Sequence, residues 1–435
     1  MSDTSPPPDP PIKPAQGFPP VRRSEIFGWC CFDFANSAFT TIIITVVYSV
    51  YFQKVVAEAD PRAESWWGRT LALAQLVVIV LSPLIGAVAD VRASKKRFLL
   101  TTAAVCSVAT ALLSFIGQGE VAWALGLVAV ANIAFSLSEN LCSAFLPEIS
   151  TPANVGRISG YGWSFGYFGG LLSLVLALVI IRSGEGRAPW TFLMTGGFFL
   201  IASLPTLLLL RERAVPRVRA PGETYVALAW GQLAQMRRDL PQHRTLAVFF
   251  VAMTIYLTGL MAVIAFAALF ASNVIGMTQP EIIQLFIVLQ LAGVAGAFGF
   301  GFLQDKIGSK PALVLSLVQW VAVCAWAAFC QTKLEFYLIG ALAGAAMGSL
   351  QSAGRAVVST LTPAGRAGEF FGYWGFFGKL AGMAGPFIFG EMVKHYSYRA
   401  AIFVIGGFFL VGLLILLPLR LSRASTAGAG APPPP

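Results

Sequence analysis

Gly86-Ala87-Val88-Ala89-Asp90-Val91-Arg92-Ala93-Ser94-Lys95-Lys96-Arg97 follows one long apolar run, and Gly301-Phe302-Leu303-Gln304-Asp305-Lys306-Ile307-Gly308-Ser309-Lys310 follows another. Each is a short glycine, aspartate and basic loop between hydrophobic stretches, and the two aspartates stand 215 positions apart. A second echo joins Gly160-Tyr161 to Gly372-Tyr373, Phe165-Gly166 to Phe377-Gly378, and Gly170 to Gly382, all at an offset of 212. Two independent echoes at nearly one offset, about half the chain, imply a duplicated unit. Apolar runs long enough to cross a bilayer need about 20 residues. Working outward from the two loops, such runs cover 28–52, 68–89, 97–117, 121–146, 159–182 and 189–210, then 245–271, 281–303, 311–331, 334–356, 369–392 and 400–419. The expected fold is therefore an all-α membrane protein of twelve helices in two pseudo-symmetric six-helix bundles.

Composition explains why the solvent is lipid. The 435 residues are 57% hydrophobic and 11% charged, where soluble domains carry about 25% charged residues. Thirty basic and twenty acidic side chains cannot cover a soluble particle of this size. The net charge of +10 does not point to nucleic acid, because the basic residues fall in short clusters between apolar runs. With the N-terminus inside, twenty-one of them lie in cytoplasmic segments, eight lie outside and Lys379 falls within a helix. That bias puts both termini in the cytoplasm. The division expected along the chain is a disordered tail over 1–24 and one bundle over 25–210. A cytoplasmic linker with an amphipathic helix covers 211–244, the second bundle 245–420, and a disordered tail 421–435.

Ionised groups inside a membrane cost at least about 2.5–3.5 kcal/mol, so they face a partner or a watery cavity. Asp33, Glu139 and Lys379 are such groups. Asp33, Asn36, Ser37, Thr40 and Thr41 recur at helical spacing on one face of helix one. Asn132, Ser136, Glu139, Asn140 and Ser143 do the same on helix four. Helix ten offers Gln351 and Arg355 one turn apart, and helix seven offers Tyr256 and Thr258. The bland reading is that Asp33 pins helices and that Lys379 sits in a fixed pair with a carboxylate. The functional reading is a cavity holding acidic and basic groups, with Asp33 and Glu139 as candidate proton carriers. Gly340, Gly344, Gly348 and Ser352 on helix ten, and Gly162, Gly166 and Gly170 on helix five, read as faces for close helix packing.

The paired loops resemble the cytoplasmic signature of the major facilitator superfamily. Narrower motifs are Phe32-Asp33-Phe34-Ala35-Asn36-Ser37-Ala38-Phe39, Phe145-Leu146-Pro147-Glu148, Arg157 to Trp163, Gly166 to Gly170, Gln351-Ser352 with Arg355, and Glu369 to Gly372 with Gly378-Lys379 and Gly385-Pro386. Together they resemble the vacuolar-effluxer branch of that superfamily, the autophagy-related amino-acid effluxers and their bacterial relatives. Val91 and Ala93 depart from the superfamily loop. The resemblance implies that helices one, four, seven and ten line a central cavity. It also implies a cytoplasmic gate of Gly86, Asp90, Arg92, Lys96, Arg97, Arg157, Asp305, Lys306, Lys310, Arg366 and Glu369. Asp90 would dock at the start of helix eleven near Gly368-Glu369, and Asp305 at the start of helix five near Ser159-Gly160, each accepting backbone N–H groups at a helix N-terminus.

Other function classes fit less well. Gly372 to Lys379 is not a phosphate loop, because Leu380 stands where Ser or Thr should hold magnesium. No clustered nucleophile and base, and no histidine-rich ligand set, suggests an enzyme. The six cysteines read as small apolar packing residues, so no metal or other cofactor is expected. The expected activity is secondary transport of a small polar solute, with amino-acid export suggested by the resemblance and protons as candidate coupling ion. The expected setting is the cell membrane, with a monomeric carrier, the lipid bilayer around it and no nucleic-acid partner. The competing readings are a carrier of another metabolite or drug and a transporter-fold sensor without flux.

Overall fold

The computed structural model describes residues 20–213 and 243–419, apart from 59, 61, 152, 185, 278 and 364–365. The expected tails and the amphipathic piece of the linker fall largely outside these residues. Among the described residues, twelve long helices carry the chain. In the first half they are α1 (Arg23–Ala38), α2 (Ala63–Arg92), α3 (Lys95–Leu112), α4 (Val121–Ser143), α5 (Val155–Arg182) and α6 (Ala188–Ala202). In the second they are α7 (Arg244–Asn273), α8 (Gln279–Ile307), α9 (Ser309–Phe329), α10 (Lys333–Leu361), α11 (Ala367–His395) and α12 (Tyr398–Leu416). Eleven of the spans are apolar and long enough to cross a membrane. The twelfth, α11, has 29 residues, but seven glycines and Lys379 lower its hydropathy.

Local sequence accounts for the boundaries. Thr332 caps α10 by accepting the Glu335 N–H, while the Glu335 carboxylate takes the Thr332 N–H in return. Ser397 caps α12 in the same manner through the Ala400 N–H. Ala93 ends α2 at φ 48 and Gly308 precedes α9 at φ 92. Both stand three residues beyond a loop aspartate, so the repeat extends to the backbone; glycine enters that region freely, whereas alanine brings a Cβ into it. Two helices depart from the simple runs. Helix one passes into a π-helical stretch over Phe39–Val46, and helix six is interrupted at Ser203 before Leu204–Leu209, where Pro205 stands near the restart.

The packing repeats pair for pair. α1 lies on α5 and α6 as α7 lies on α11 and α12; α2 lies on α4 as α8 lies on α10; α3 lies on α4 and α6 as α9 lies on α10 and α12. Each half has its own apolar core. The halves meet along two equivalent seams, α2 against α11 and α5 against α8, as a pseudo-twofold axis requires. Large apolar side chains such as Leu208, Trp123, Leu334 and Phe387 stand exposed on the outside. So much bare hydrocarbon surface has hydrocarbon as its solvent. The protein is a multi-pass membrane protein.

Candidate functional site

Asp33 and Arg355 are 322 residues apart, on α1 and α10, and meet between the halves. An Arg355 Nη1 donates to Asp33 Oδ2 at 2.8 Å. Arg355 Nε donates to Ser159 Oγ at 3.3 Å and Nη2 to the Ser159 carbonyl at 3.1 Å. Ser159 in turn donates to the Ser352 carbonyl at 2.8 Å. The guanidinium lies over the rings of Trp29 and Trp163, 4.7 and 5.3 Å from their centroids. Trp29 is itself fixed by its Nε1–H donating to the Cys142 carbonyl. Arginine suits this place because it is a planar fork with donors on its edge and a face that stacks. Arg355 is 2% exposed, so its charge is matched almost wholly by protein.

Gly162 makes the pair possible. A Cβ there would stand 2.5 Å from both Asp33 Oδ2 and Arg355 Nη2. Next to it on α5, Gly166 faces Ser37 of α1 and Gly170 faces Thr41 in the π-helical stretch that follows. The other expected glycine face packs inside the second half, where Gly344 and Gly348 meet the backbone of α8 at Leu289 and Gly293. Three buried polar atoms around this floor, Trp163 Nε1, Tyr167 OH and Gln351 Oε1, have no hydrogen-bond partner among the described residues.

A second ion pair also joins the halves. Lys379 Nζ on α11 lies 3.5 Å from Glu139 Oε2 on α4. Both side chains are partly exposed, at 19% and 25%, unlike the buried Arg355. Beside Glu139, the Asn140 amide donates to Ser82 Oγ at 2.7 Å, in the space left by Gly375. Asn36 is buried, and Ser37 Oγ donates back to the Asp33 carbonyl. Tyr256 sits apart from these groups, 1% exposed in the core of the second half, where it packs against Gly354 and Gly412.

At one end of the bundle, Asp305 Oδ1 accepts the N–H groups of Gly156 and Arg157, at 3.0 and 3.3 Å, and its Oδ2 pairs with Arg157 Nε at 3.2 Å. A carboxylate of one half thus caps the first turn of α5 in the other, one turn before Ser159-Gly160. Here α5 and α8 nearly touch: a Cβ on Gly160 would lie 2.5 Å from the Ala297 carbonyl oxygen. Asp90 has Lys95 as one partner among the described residues. It lies 3.5 Å from Lys95 Nζ, whose ammonium also pairs with Glu148. The Glu369 side chain lies outside the described residues; Arg366 lies over Phe370 and Gly86 is buried in α2. Arg92, Arg97 and Lys306 are exposed, and Lys310 donates to the Leu417 carbonyl.

Lys95 belongs to a network that hydropathy does not announce. Arg213 holds Glu25 through Nη1 and Nη2, at 2.8 and 2.9 Å, and offers its backbone N–H to Glu148. Glu212 caps α3 by accepting the N–H groups of Lys95 and Lys96, at 2.6 and 3.2 Å, and Lys96 Nζ donates to the Leu210 carbonyl. Burial pushes the Glu212 carboxyl above the usual carboxylate range, although those two N–H groups oppose the shift. Lys95→Met would leave Asp90 and Glu148 without their shared cation. We expect a loss of up to about 3–5 kcal/mol, the cost of removing one partner from a buried ion pair. The check is thermal unfolding in detergent, with Lys95→Arg expected to retain more stability than Lys95→Met.

The family described as "Vacuole effluxer Atg22 like" matches residues 61–429. An uncharacterized MFS-type transporter of Bacillus subtilis, YxiO, is 24% identical over 89% of this chain and 93% of its own. Autophagy-related protein 22 of Yarrowia lipolytica is 25% identical over 68% of this chain, which spans only 54% of that longer protein. Among solved structures, the human organic anion transporter MFSD10 (TETRAN) superposes with a TM-score of 0.72, covering 91% of this chain and 99% of that one at 15% identity. That likeness is one of fold, a major facilitator architecture. Two six-helix halves, echoed aspartate loops and a family match over residues 61–429 converge, and the chain belongs to the Atg22-like vacuole effluxer family of major facilitator transporters.

Proposed function

We propose that this protein is a secondary carrier that moves small zwitterions of the amino-acid class by alternating access, in the export direction. The supporting observation is the pair of ion pairs that cross between the halves. Asp33 and Glu139 are anions of one half; Arg355 and Lys379 are cations of the other. The four charges cancel. When the halves tilt apart, each pair must break, and buried unpaired charge costs several kcal/mol. A cargo bearing one ammonium and one carboxylate replaces both lost partners and adds no net charge. A cargo of net charge would leave one group unmatched. The unpartnered Trp163, Tyr167 and Gln351 atoms supply further hydrogen bonds to a polar solute.

In this reading the gate end is cytoplasmic, the setting is the cell membrane and the carrier works as a monomer. Asp305 at the start of α5 is the inner latch, broken and remade in each cycle. Protons are the coupling ion, taken up by Asp33 or Glu139 once the partnering cation turns to the cargo. Purified protein in liposomes, loaded with radiolabelled neutral, acidic and basic amino acids, tests the proposal. We expect saturable flux, fastest for neutral species and stimulated by a pH gradient. Lys379→Gln should raise the half-saturating concentration at least tenfold, since it removes a charge-assisted contact worth about 1.5–3 kcal/mol. Binding without flux would make the protein a sensor, and flux of other solutes alone would reassign the cargo. A pH dependence unaltered in both Asp33→Asn and Glu139→Gln would remove proton coupling.

A further inference from the structure

Beyond Arg355, on the side away from Asp305, three buried polar atoms stand around one place in the seam between the halves. Trp163 and Tyr167 follow Ser159 along α5 at steps of four residues, about one turn each. Their ring centroids lie 6.3 Å apart. Gln351 precedes Arg355 by one turn on α10. Contacts close these residues into a circuit. Arg355 lies over Trp163, and Trp163 tilts against Tyr167. The Tyr167 ring meets α8 at Gly293, where a Cβ would stand 3.1 Å from it, and the Gly293 carbonyl meets Gly348, three residues before Gln351. Trp163 Nε1, Tyr167 OH and Gln351 Oε1 have no hydrogen-bond partner among the described residues, and Tyr167 is 8% exposed. The packing does not need these atoms. Arg355 uses the face of Trp163, and Gly293 leaves room for the Tyr167 ring; neither contact involves the indole N–H or the hydroxyl. Plain aromatic rings would make the same contacts, so two unmet buried donors have their reason elsewhere.

On the reading of this protein as a carrier of amino-acid zwitterions, we infer that Trp163, Tyr167 and Gln351 receive the cargo's side chain and favour one that ends in a carboxamide. An indole N–H only donates, a carbonyl oxygen only accepts, and a phenol does either. A carboxamide answers all three: its oxygen accepts from Trp163 and Tyr167, and its NH2 donates to Gln351. An aliphatic side chain of the same shape satisfies none of them and leaves three bonds unmade. A charged side chain meets only neutral dipoles there, so the cost of its desolvation stays uncompensated. The charges of the site remain for the ends common to every amino acid, with Arg355 for the carboxylate and Asp33 or Glu139 for the ammonium. Position agrees with this division. Trp163 lies under the Arg355 guanidinium and Gln351 one turn from it, so a carboxylate held by Arg355 brings the side chain to the three groups.

Asparagine and leucine have nearly the same shape and differ in hydrogen bonding, which makes them the probe. With the full chain in liposomes, flux of radiolabelled asparagine per unit concentration should exceed that of leucine at least about thirtyfold, since a site built around buried polar groups rejects an isostere that lacks them. Tyr167→Phe keeps the ring and removes only the hydroxyl, and it should lower that ratio at least about fivefold. Gln351→Met should lower it to the same degree, and it carries the test if Tyr167→Phe does not fold. A general structural defect would slow both amino acids together and leave the ratio in place. Saturable flux with leucine equal to or ahead of asparagine, or a ratio unmoved by either variant, overturns the pocket and leaves the carrier standing. Absence of flux for every amino acid overturns both.

Discussion

Arg355→Lys is expected to lower transport by two to four orders of magnitude in a liposome flux assay while leaving a folded protein. Lysine keeps the charge and can reach Asp33. It cannot also serve Ser159 Oγ and the Ser159 carbonyl, as Nε and Nη2 of Arg355 do, and it has no plane to lay on Trp29 and Trp163. Two charge-assisted bonds at about 1.5–3 kcal/mol each account for that range. Arg355→Met is a different perturbation. It leaves Asp33 buried without its cation, and a fall of about 3–5 kcal/mol in stability should appear as a lower unfolding temperature. Adding Asp33→Asn removes the orphaned charge, so the double variant should regain most of that stability yet transport nothing. The coupling between the two sites, read from this cycle, separates a pair that merely holds the helices from one that works. If Arg355→Lys transports at near wild-type rate, the pair is structural and the cargo does not compete for it.

The sequence carried the architecture because membrane helices are announced by length and hydropathy, which are local properties. Helix one shows the limit of that reading. Its apolar run predicts one span over 28–52, but the helix becomes π-helical at Phe39, and no composition change marks the transition. The Asp305 contact was legible from the echo of the two loops, since an aspartate recurring at one offset needs one explanation for both copies. Its twin was less so. Lys95 reads as a topology charge, yet it is buried between Asp90 and Glu148, and hydropathy cannot distinguish a snorkelling lysine from a paired one.

The candidate site was legible as ingredients and not as pairs. Asp33, Glu139, Lys379 and Arg355 stand out as charges in apolar surroundings, but which anion meets which cation depends on how the two halves dock. Lys379 does lie beside a carboxylate, as the bland reading had it, and that carboxylate is Glu139 across the seam. Trp29 carried no signal, because tryptophans in a membrane helix are ordinary, and Trp163 stood in the Arg157 to Trp163 motif without a role that spacing could assign. Gly162 was read as packing; it is that, and it also leaves room for the ion pair. Ser159 belongs to the Arg355 site as well as to the seam.

Two glycines on α5, nine residues apart, should behave oppositely when enlarged. Gly169 faces the Phe34 carbonyl of α1, inside its own half, so closely that a Cβ would overlap the backbone; Gly160 faces the Ala297 carbonyl of α8, in the other half. Gly169→Leu forces apart two helices that share one core. Overpacking of that kind costs about 1–3 kcal/mol and more when backbone must yield, so we expect little folded protein. Gly160→Leu meets a surface that, in the proposed cycle, separates when the inner side opens. Each half can fold around it, and unfolding in detergent should stay close to wild type. What it prevents is closure: α5 cannot return to α8, and Asp305 cannot reach the N–H groups of Gly156 and Arg157. Transport should fall at least tenfold. A Ser352→Cys probe, buried at the seam in the closed state, should become reactive to a polar maleimide, against a low background from six native cysteines that are all buried. If Gly160→Leu instead unfolds the protein as Gly169→Leu does, the seam between α5 and α8 is part of a fixed core, and tilting of the halves is not how this protein exposes its site.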